Sequence, residues 1–279
     1  MKSLAEKVAV VTGASRGVGK GIALGLGEAG ATVYVTGRTT QAGSDIDELG
    51  GTVFTTAEEV TTIGGKGIAI ACDHRDDSQA EKVFQQVAQE RGRLDILVNN
   101  AWGGYSQMEH DGEFTWRKPF WSQPFWRWDA MFQSGVRAAY VASAFAARMM
   151  TEQKNGLIVN VSYWAAQKYM ANVAYGTAKA AVDKMTADMA REAEEFKVAV
   201  ISLYPGLVRT ELVMRDAQYF DMSNFASPQF VGRVIAALAS DPDVMKKTGQ
   251  VLVGAALAEE YGIRDIDGKQ PRPLTLETS

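Results

Sequence analysis

Short apolar runs alternate with helical patterns along most of the chain. Between the runs, apolar residues recur at helical spacing, as at Ala80, Val83 and Val87. Strands that are apolar throughout and are joined by helices form a parallel sheet covered on both faces. The pattern therefore predicts an α/β fold, a doubly wound sheet of about seven parallel strands flanked by helices. The predicted strands are Val8–Thr12, Thr32–Thr36, Gly67–Cys72, Ile96–Asn99, Leu157–Ser162, Val198–Leu203 and Gln250–Val253.

Composition narrows the class of protein. Residues 1–279 show no change of composition that would mark a second domain, so one domain is predicted. The net charge of −4 argues against a nucleic-acid partner. The two histidines cannot build a His-rich metal site, and the lone Cys72 excludes an internal disulfide. No apolar run reaches about 18 residues and no signal segment precedes the first strand. We therefore expect a cytoplasmic protein with no membrane span and no metal.

Three glycines follow the first predicted strand. Residues 10–19 read V-V-T-G-A-S-R-G-V-G, and an apolar helical pattern begins at Ile22. Gly13 permits a tight turn, Gly17 lets a pyrophosphate approach the main chain, and Gly19 allows the helix to pack closely on the strand. Free N–H groups at the start of the helix favour an anion. The motif predicts a loop that binds the phosphates of a nucleotide; a strand–helix turn without a ligand is the alternative.

The end of the second predicted strand carries a cation where many NAD sites carry an acid. In such sites a carboxylate about 20 residues after the glycines accepts hydrogen bonds from the ribose hydroxyls. Here the segment Thr36–Thr40 holds Arg38 and Thr39 but no acid. Arginine pairs well with a 2′-phosphate, and Arg16 in the glycine loop supplies a second cation. The sequence thus favours NADP(H), unless both arginines are solvated surface residues.

Polar residues also end the third and fourth predicted strands. Asp73 follows the third, where its carboxylate is placed to meet an adenine edge, to cap a helix or to face solvent. Asn99 and Asn100 end the fourth and suit hydrogen bonds to the backbone near a ligand, although turn formation explains one of them. A doubly wound sheet binds its ligand at this edge.

The segment 102–128 contains five of the six tryptophans of the chain. It follows the fourth predicted strand, where substrate loops belong in such a sheet. Its aromatic side chains predict an apolar pocket wall, an oligomer contact or packing over the edge of the fold.

Tyr175 and Lys179 lie four residues apart, which places them one turn apart on one face of a helix. A phenol with a pKa of about 10 is a poor base at neutral pH, but a neighbouring cation lowers that pKa. The tyrosine can then exchange a proton with a carbonyl or alcohol oxygen. Ser162, at the end of the preceding predicted strand, has a hydroxyl that can hydrogen-bond the same substrate oxygen.

Together these motifs resemble the short-chain dehydrogenase/reductase family. The resemblance rests on T-G-A-S-R-G-V-G at 12–19, N-N-A at 99–101, Ser162, Y-G-T-A-K at 175–179 and P-G-L-V-R-T at 205–210. Their order and spacing fit from about Glu6 to Val253. The resemblance implies a single-domain Rossmann fold and oxidoreductase chemistry with a nicotinamide cofactor.

The resemblance also implies a role for each matching residue. Tyr175 would be the general acid in carbonyl reduction, and Ser162 would orient the carbonyl. Lys179 would bind the nicotinamide ribose and lower the pKa of Tyr175. The implied cofactor-binding residues are Gly13, Ser15, Arg16, Gly17, Val18 and Gly19 at the phosphates, Arg38 and Thr39 after the second strand, Asp73 at adenine, Asn99 at the adenosine ribose with Ala101 after it, Pro205, Gly206, Val208 and Thr210 at the carboxamide, and Tyr175 and Lys179 themselves.

Two positions depart from the family pattern. An asparagine that follows a Trp-Asp pair in the family helps to hold a proton-relay water, and Gly135 stands there after Trp128-Asp129. Proton resupply to Tyr175 is therefore expected to differ. The usual N-N-A-G reads N-N-A-W, with Trp102 last, so the loop must leave the strand differently.

We therefore expect NADPH-dependent reduction of an apolar ketone or aldehyde. The alternative is an NADP(H)-binding scaffold or sensor with weakened catalysis, which Gly135 motivates. By position, residues 213–230 form either a lid over the substrate or an ordinary packed helix. By analogy with the family, helices rich in small residues predict a homodimer or homotetramer.

Overall fold

The computed structural model describes residues 3–41, 43, 49–105, 108–110, 113–215, 217–219 and 221–279. Parts of the aromatic segment 102–128 and of the predicted lid 213–230, including Phe220, lie outside the described residues.

Seven parallel strands form one sheet, as predicted. They run in the order β3-β2-β1-β4-β7-β8-β9, and β5 and β6 form a separate antiparallel pair. The predicted strand ends differ from the observed ones by one residue at most. The strands are β1 (Val8–Thr12), β2 (Thr32–Gly37), β3 (Lys66–Ala71), β4 (Ile96–Asn99), β5 (Glu109–His110), β6 (Glu113–Phe114), β7 (Gly156–Val161), β8 (Val198–Tyr204) and β9 (Val251–Val253).

Helices cover both faces of the sheet, because alternate strand side chains point to opposite sides. In β1, Ala9 and Val11 face one core and Val8 and Val10 the other. The helices are α1 (Gly17–Glu28), α2 (Val53–Thr62), α3 (Asp77–Arg91), α4 (Phe125–Met131), α5 (Ala138–Gln153), α6 (Val173–Ala193), α7 (Glu211–Arg215), α8 (Pro228–Ala239) and α9 (Gly254–Tyr261). Helices α1, α2, α8 and α9 pack on one face, and α3, α5 and α6 on the other.

The strand register brings the chain out of the sheet along one edge. Thr12 at the end of β1 is level with Thr36 of β2, and Asn99 at the end of β4 is level with Asn160 of β7. Every predicted site segment follows the carboxyl end of a strand. The order of connections reverses between β1 and β4, which is where doubly wound sheets open a crevice.

The predicted lid extends too far along the chain. Helix α8 begins at Pro228, and Phe230 is 1% exposed within the core. Gly21 and Gly25 of α1 lie so close to α8 that an added Cβ would overlap its backbone. The close packing of these two helices makes residues 228–230 part of the scaffold.

No helix in the described part of the chain is long and apolar enough to cross a membrane. Among the same described residues, no group of three or more His, Cys, Asp and Glu side chains is arranged to hold a metal ion.

Candidate active site

A cavity of about 770 Å³ opens at the carboxyl edge of the sheet. Ten of the residues predicted for the site line it: Val18, Asn99, Ala101, Ser162, Tyr175, Lys179, Pro205, Gly206, Val208 and Thr210. The others lie outside its wall, in the segments that follow β1, β2 and β3: Gly13, Ser15, Arg16, Gly17, Gly19, Arg38, Thr39 and Asp73. The predicted residues therefore all lie at the carboxyl edge of the sheet, some on the cavity wall and the others in the adjoining loops.

The glycine loop turns as its sequence requires. Gly13 and Gly17 have φ angles of +64° and +56°, which residues with a Cβ rarely adopt. Asn100 fixes the loop from the neighbouring strand, since its Nδ2 donates to the carbonyl oxygens of Thr12 (3.1 Å) and Gly13 (3.0 Å). A Cβ on Gly19 would overlap both the Gly13 carbonyl and the Asn100 amide. The amide of Asn100 thus holds the backbone of the loop.

An anion already lies at the start of α1. The Gly17 N–H donates to Oε2 of Glu211, in α7, at 2.9 Å. A carboxylate and a phosphate both accept hydrogen bonds from such N–H groups, so Glu211 is a chemical stand-in for the expected phosphate. No local pattern in the sequence reports this contact, because 194 residues separate the two partners.

Arg16 follows β1 and Arg38 follows β2. Arg16 donates from Nη2 to Oγ1 of Thr39 at 2.9 Å, beside the exposed Arg38. At the end of β3, Arg75 pairs with Asp73 (Nη2–Oδ2, 2.6 Å). The Arg75 hydrogen bond, with a smaller contribution from Arg38, lowers the pKa of Asp73. Asp73 therefore faces an arginine here, and its contact with adenine stays a prediction.

Tyr175 and Lys179 lie in the first turns of α6, as the sequence predicts. Asn172 caps this helix, with its Oδ1 accepting from the Tyr175 N–H at 2.9 Å. Asn172 also donates from Nδ2 to the Trp116 carbonyl at 3.2 Å, so the cap reaches the aromatic segment. Ser162 is buried, and its hydroxyl donates to the Lys179 carbonyl at 3.3 Å.

Lys179 is a buried ammonium with an aromatic neighbour. Its Nζ lies 4.1 Å from the centre of the Trp102 ring and donates to the Val161 carbonyl at 3.3 Å. Burial lowers the pKa of Lys179 to about 8, and Asp183 on the same helix opposes that shift. The Asp183 carboxylate in turn accepts hydrogen bonds from Ser202 (2.6 Å) and Tyr204 (2.5 Å).

Aromatic rings surround Tyr175. The ring centres of Trp102, Tyr105 and Trp116 lie 5.7–6.0 Å from its own. The hydroxyl of Tyr105 is 3.0 Å from the hydroxyl of Tyr175. The expected lowering of the Tyr175 pKa by Lys179 is not found. Burial, then the adjacent Tyr105, raises the pKa of Tyr175 well above its usual value of 10.

The two departures from the family pattern are in contact. A Cβ on Gly135 would lie 2.5 Å from ring atoms Cε3 and Cζ3 of Trp102. Gly135 is buried in a π-helical segment, Phe132–Arg137, that joins α4 to α5. The indole of Trp102 therefore needs a residue without a side chain at this position.

The aromatic segment divides into an inner and an outer part. Its inner part is a pocket wall, since Trp102, Tyr105, Met108 and Phe114 line the cavity. In its outer part, Phe120, Trp121 and Phe125 are 64%, 76% and 91% exposed. The pocket-wall interpretation therefore holds for the inner part, and packing over the edge of the fold does not describe the three exposed rings.

The segment after β8 closes the remaining side of the cavity. Leu212, Val213, Arg215 and Phe225 line it. The base of this segment is held by the buried Asp265, which accepts from the Ser227 N–H (2.8 Å) and from Arg209 Nη2 (3.1 Å). Sequence patterns do not report these contacts, because the partners of Asp265 are 38 and 56 residues away.

The residues present fit a dinucleotide. Asn99 is buried on the cavity wall, and its Nδ2 donates to Ser143 and Asn160, both at 2.8 Å. No described residue donates to Asn99 Oδ1, which is buried. Such an acceptor suits a ribose hydroxyl. The anion at Gly17 and the arginine pair after β1 and β2 complete a set suited to phosphates and ribose.

The doubly wound sheet, the glycine loop and the cavity at its edge define a Rossmann-fold oxidoreductase. Residues 7–219 match the short chain dehydrogenase family. The chain is 41% identical over 277 residues to dehydrogenase/reductase SDR family member 1 of Mus musculus, covering 94% of this chain and 84% of that protein. The chain therefore belongs to the short-chain dehydrogenase/reductase family.

Two further comparisons bear on the site. The chain is 31% identical over 252 residues to a cyclohexanol dehydrogenase of Rhodococcus sp., covering 85% of this chain and 91% of that protein. A metagenomic short-chain oxidoreductase solved in complex with NADP superposes with a TM-score of 0.69 at 28% identity, covering 90% of this chain and 97% of that one.

Proposed function

We propose that the protein reduces an apolar ketone or aldehyde to an alcohol with NADPH, and that Tyr175 is the general acid. One observation carries this proposal: Tyr175, Lys179 and Ser162 line one cavity whose other wall is aromatic. Polar chemistry at the back of an apolar pocket is the arrangement that selects an apolar substrate with one reactive oxygen.

When bound, NADPH supplies a hydride to the carbonyl carbon. Tyr175 gives its proton to the carbonyl oxygen as that oxygen gains charge. The Tyr175 hydroxyl is protonated at neutral pH, and its raised pKa makes it a weaker acid, so the transfer depends on the negative charge that develops on the carbonyl oxygen. The Ser162 hydroxyl orients the carbonyl, and the Lys179 ammonium favours negative charge nearby.

The preference for NADPH rests on Arg16 and Arg38. Arg16 donates to Thr39, the residue after Arg38, which supports the proposal that these two arginines pair with one 2′-phosphate. The similar metagenomic enzyme was solved with NADP, which supports the same choice.

An apolar substrate suits the wall that Trp102, Met108, Phe114 and Phe225 contribute. The similarity to a cyclohexanol dehydrogenase supports a cyclic or otherwise apolar alcohol–ketone pair. Assembly as a homodimer or homotetramer, and a cytoplasmic location, stay predictions.

Substitution of Tyr175 tests the proposal most directly. We expect Tyr175→Phe to lower kcat for NADPH oxidation with a panel of ketones and aldehydes by about 10²–10⁴-fold, because the acid is removed. The dissociation constant of NADPH should change by less than about threefold. Tyr169→Phe is the matched control, since that exposed hydroxyl bonds only to a nearby carbonyl. A parent protein that binds NADPH but oxidises it with no carbonyl would favour the scaffold or sensor alternative.

A further inference from the structure

Trp102 lies directly over the ammonium of Lys179. The distance of 4.1 Å from Nζ to the ring centre is well inside the ~6 Å range in which a cation is attracted by an aromatic face. Tryptophan gives the strongest such contact, and its strength increases when water is excluded. Lys179 is only 6% exposed, so this contact acts on a desolvated charge.

Among the described residues the ammonium has few other partners, one of which is the Tyr175 ring, whose centre lies 6.0 Å from Nζ. The ammonium donates to the Val161 carbonyl at 3.3 Å, a long bond, and the charged group that acts on it is Asp183, one turn along α6. Asp183 is already engaged by Ser202 of β8 and by Tyr204. Besides Lys179, the titratable side chains that line the cavity are Arg215 and the three tyrosines Tyr105, Tyr163 and Tyr175. The pKa values of the tyrosines are all raised, so the tyrosines are neutral at pH 7. The Trp102 ring is thus a principal stabilising contact for the charge.

Gly135 makes room for this arrangement. Any side chain there would meet the indole at 2.5 Å, and Gly104 limits the ring from the other side, since its Cβ would lie 2.7 Å from Trp102 Cζ2. The ring is therefore held between two glycine backbones, with its face toward Lys179. An indole confined in this way fixes the ammonium next to Tyr175, whose ring lies 5.8 Å from Trp102.

We propose that Trp102 is a positioning residue for Lys179: its indole holds the ammonium by a cation–π contact, in a space that Gly135 leaves free. The pair Trp102 and Gly135 occupies the place where the family pattern has a glycine and an asparagine. Its effect on turnover rests on the proposed function; the contact itself does not.

Nuclear magnetic resonance of the protein labelled with ¹³C at lysine Cε tests the contact without cofactor or substrate. The Lys179 signal is the one absent from Lys179→Met. In the parent, the ring current of Trp102 should shift the Lys179 ε-protons upfield. We expect Trp102→Leu to abolish that shift. The same change should lower the titration midpoint of Lys179, on the order of one pH unit, because the ammonium form loses the aromatic contact that stabilises it.

Two further variants keep the proposal testable if Trp102→Leu fails to fold. Trp102→Phe retains a weaker π face and should retain part of the upfield shift. Gly135→Ala should displace the indole and reproduce the loss, while adding little in the Trp102→Leu background, because both changes remove one contact. Trp116→Leu is the control, since that ring contacts Tyr175 and not Lys179.

The enzyme supplies a second measurement. Burial places the pKa of Lys179 near 8, so kcat/KM for reduction should fall as pH rises through that value and the ammonium is lost. In Trp102→Leu this decline should begin at lower pH, and in Lys179→Arg it should begin at higher pH.

The proposal is overturned if Trp102→Leu leaves the Lys179 signal and its midpoint unchanged, or if Trp116→Leu moves them equally. A parent without turnover would count against the proposed function alone, since the resonance experiment would still decide the contact.

Discussion

The two sides of the candidate site present different chemical groups to a ligand. After β1 and β2 the groups placed to meet a ligand are backbone N–H groups and two arginines, with Gly13 and Gly17 in conformations that suit glycine. Around Tyr175 the groups placed to meet a ligand are aromatic rings from a segment that is distant from Tyr175 along the chain. The first side is the one that we propose binds the cofactor, and local backbone geometry suffices to form its loop. The second side is the one that we propose selects the substrate, and it depends on side chains whose positions come from tertiary contacts.

This comparison predicts that damage to the first side changes cofactor binding most. We expect Gly19→Val to weaken NADPH binding by at least about 100-fold, because its side chain would overlap the Gly13 carbonyl and the Asn100 amide that holds the loop. Titration of NADPH fluorescence measures the affinity. Circular dichroism must show a folded variant, and a folded Gly19→Val with parental affinity would refute the predicted role of the loop.

The arginines should separate the two nicotinamide cofactors. Arg38→Ala is expected to weaken NADPH about 10–100-fold and NADH less than twofold, since a charge-assisted pair to the 2′-phosphate is worth roughly 1.5–3 kcal/mol. Arg191→Ala is the matched control, because that arginine is exposed in the last turn of α6, away from the predicted site residues. Equal losses for both cofactors in Arg38→Ala would contradict the assignment of NADP(H).

On the second side, the effect should appear in turnover and not in cofactor affinity. Tyr105→Phe keeps the ring among Trp102 and Trp116 but removes the hydroxyl 3.0 Å from that of Tyr175. We expect kcat to change about 3–10-fold with NADPH affinity unchanged, in keeping with one hydrogen bond of about 1 kcal/mol. Steady-state kinetics and the NADPH titration together check this. A change confined to NADPH affinity would show that the two sides are not separate.

Glu211 is where the two sides meet, so its effect should be the smallest. Its carboxylate occupies the Gly17 N–H that a phosphate is expected to use. Glu211→Gln should tighten NADPH binding by a few-fold at low salt, because the neutral amide competes less and repels the phosphates less. Glu192→Gln, the same change at an exposed position near the end of α6, serves as the control. Weaker binding in Glu211→Gln would mean that Glu211 assists the cofactor.

The same division explains what the sequence could predict. Periodicity located the seven strands to within one residue, because buried strands are recorded in local composition. The glycine loop and the Tyr175–Lys179 pair were found because their spacing is local. Three contacts at the site join segments that are 33 to 194 residues apart: Trp102 with Gly135, Tyr105 with Tyr175, and Glu211 with Gly17. No periodic pattern in the sequence reports such contacts. The predicted lid overran into α8 because Met and Phe are equally typical of a lid and of a core helix.

The amide of Asn172 joins the aromatic wall to the helix that carries Tyr175 by a single side chain. Its Oδ1 caps the start of the helix that carries Tyr175, and its Nδ2 donates to the main-chain carbonyl of Trp116. A mutation that changes the aromatic wall therefore acts beside a direct contact with the helix that carries Tyr175, the proposed proton donor. Substrate specificity in this protein should therefore evolve by substitution of the aromatic side chains while the backbone stays in place. Asn172 should be the position that tolerates substitution least.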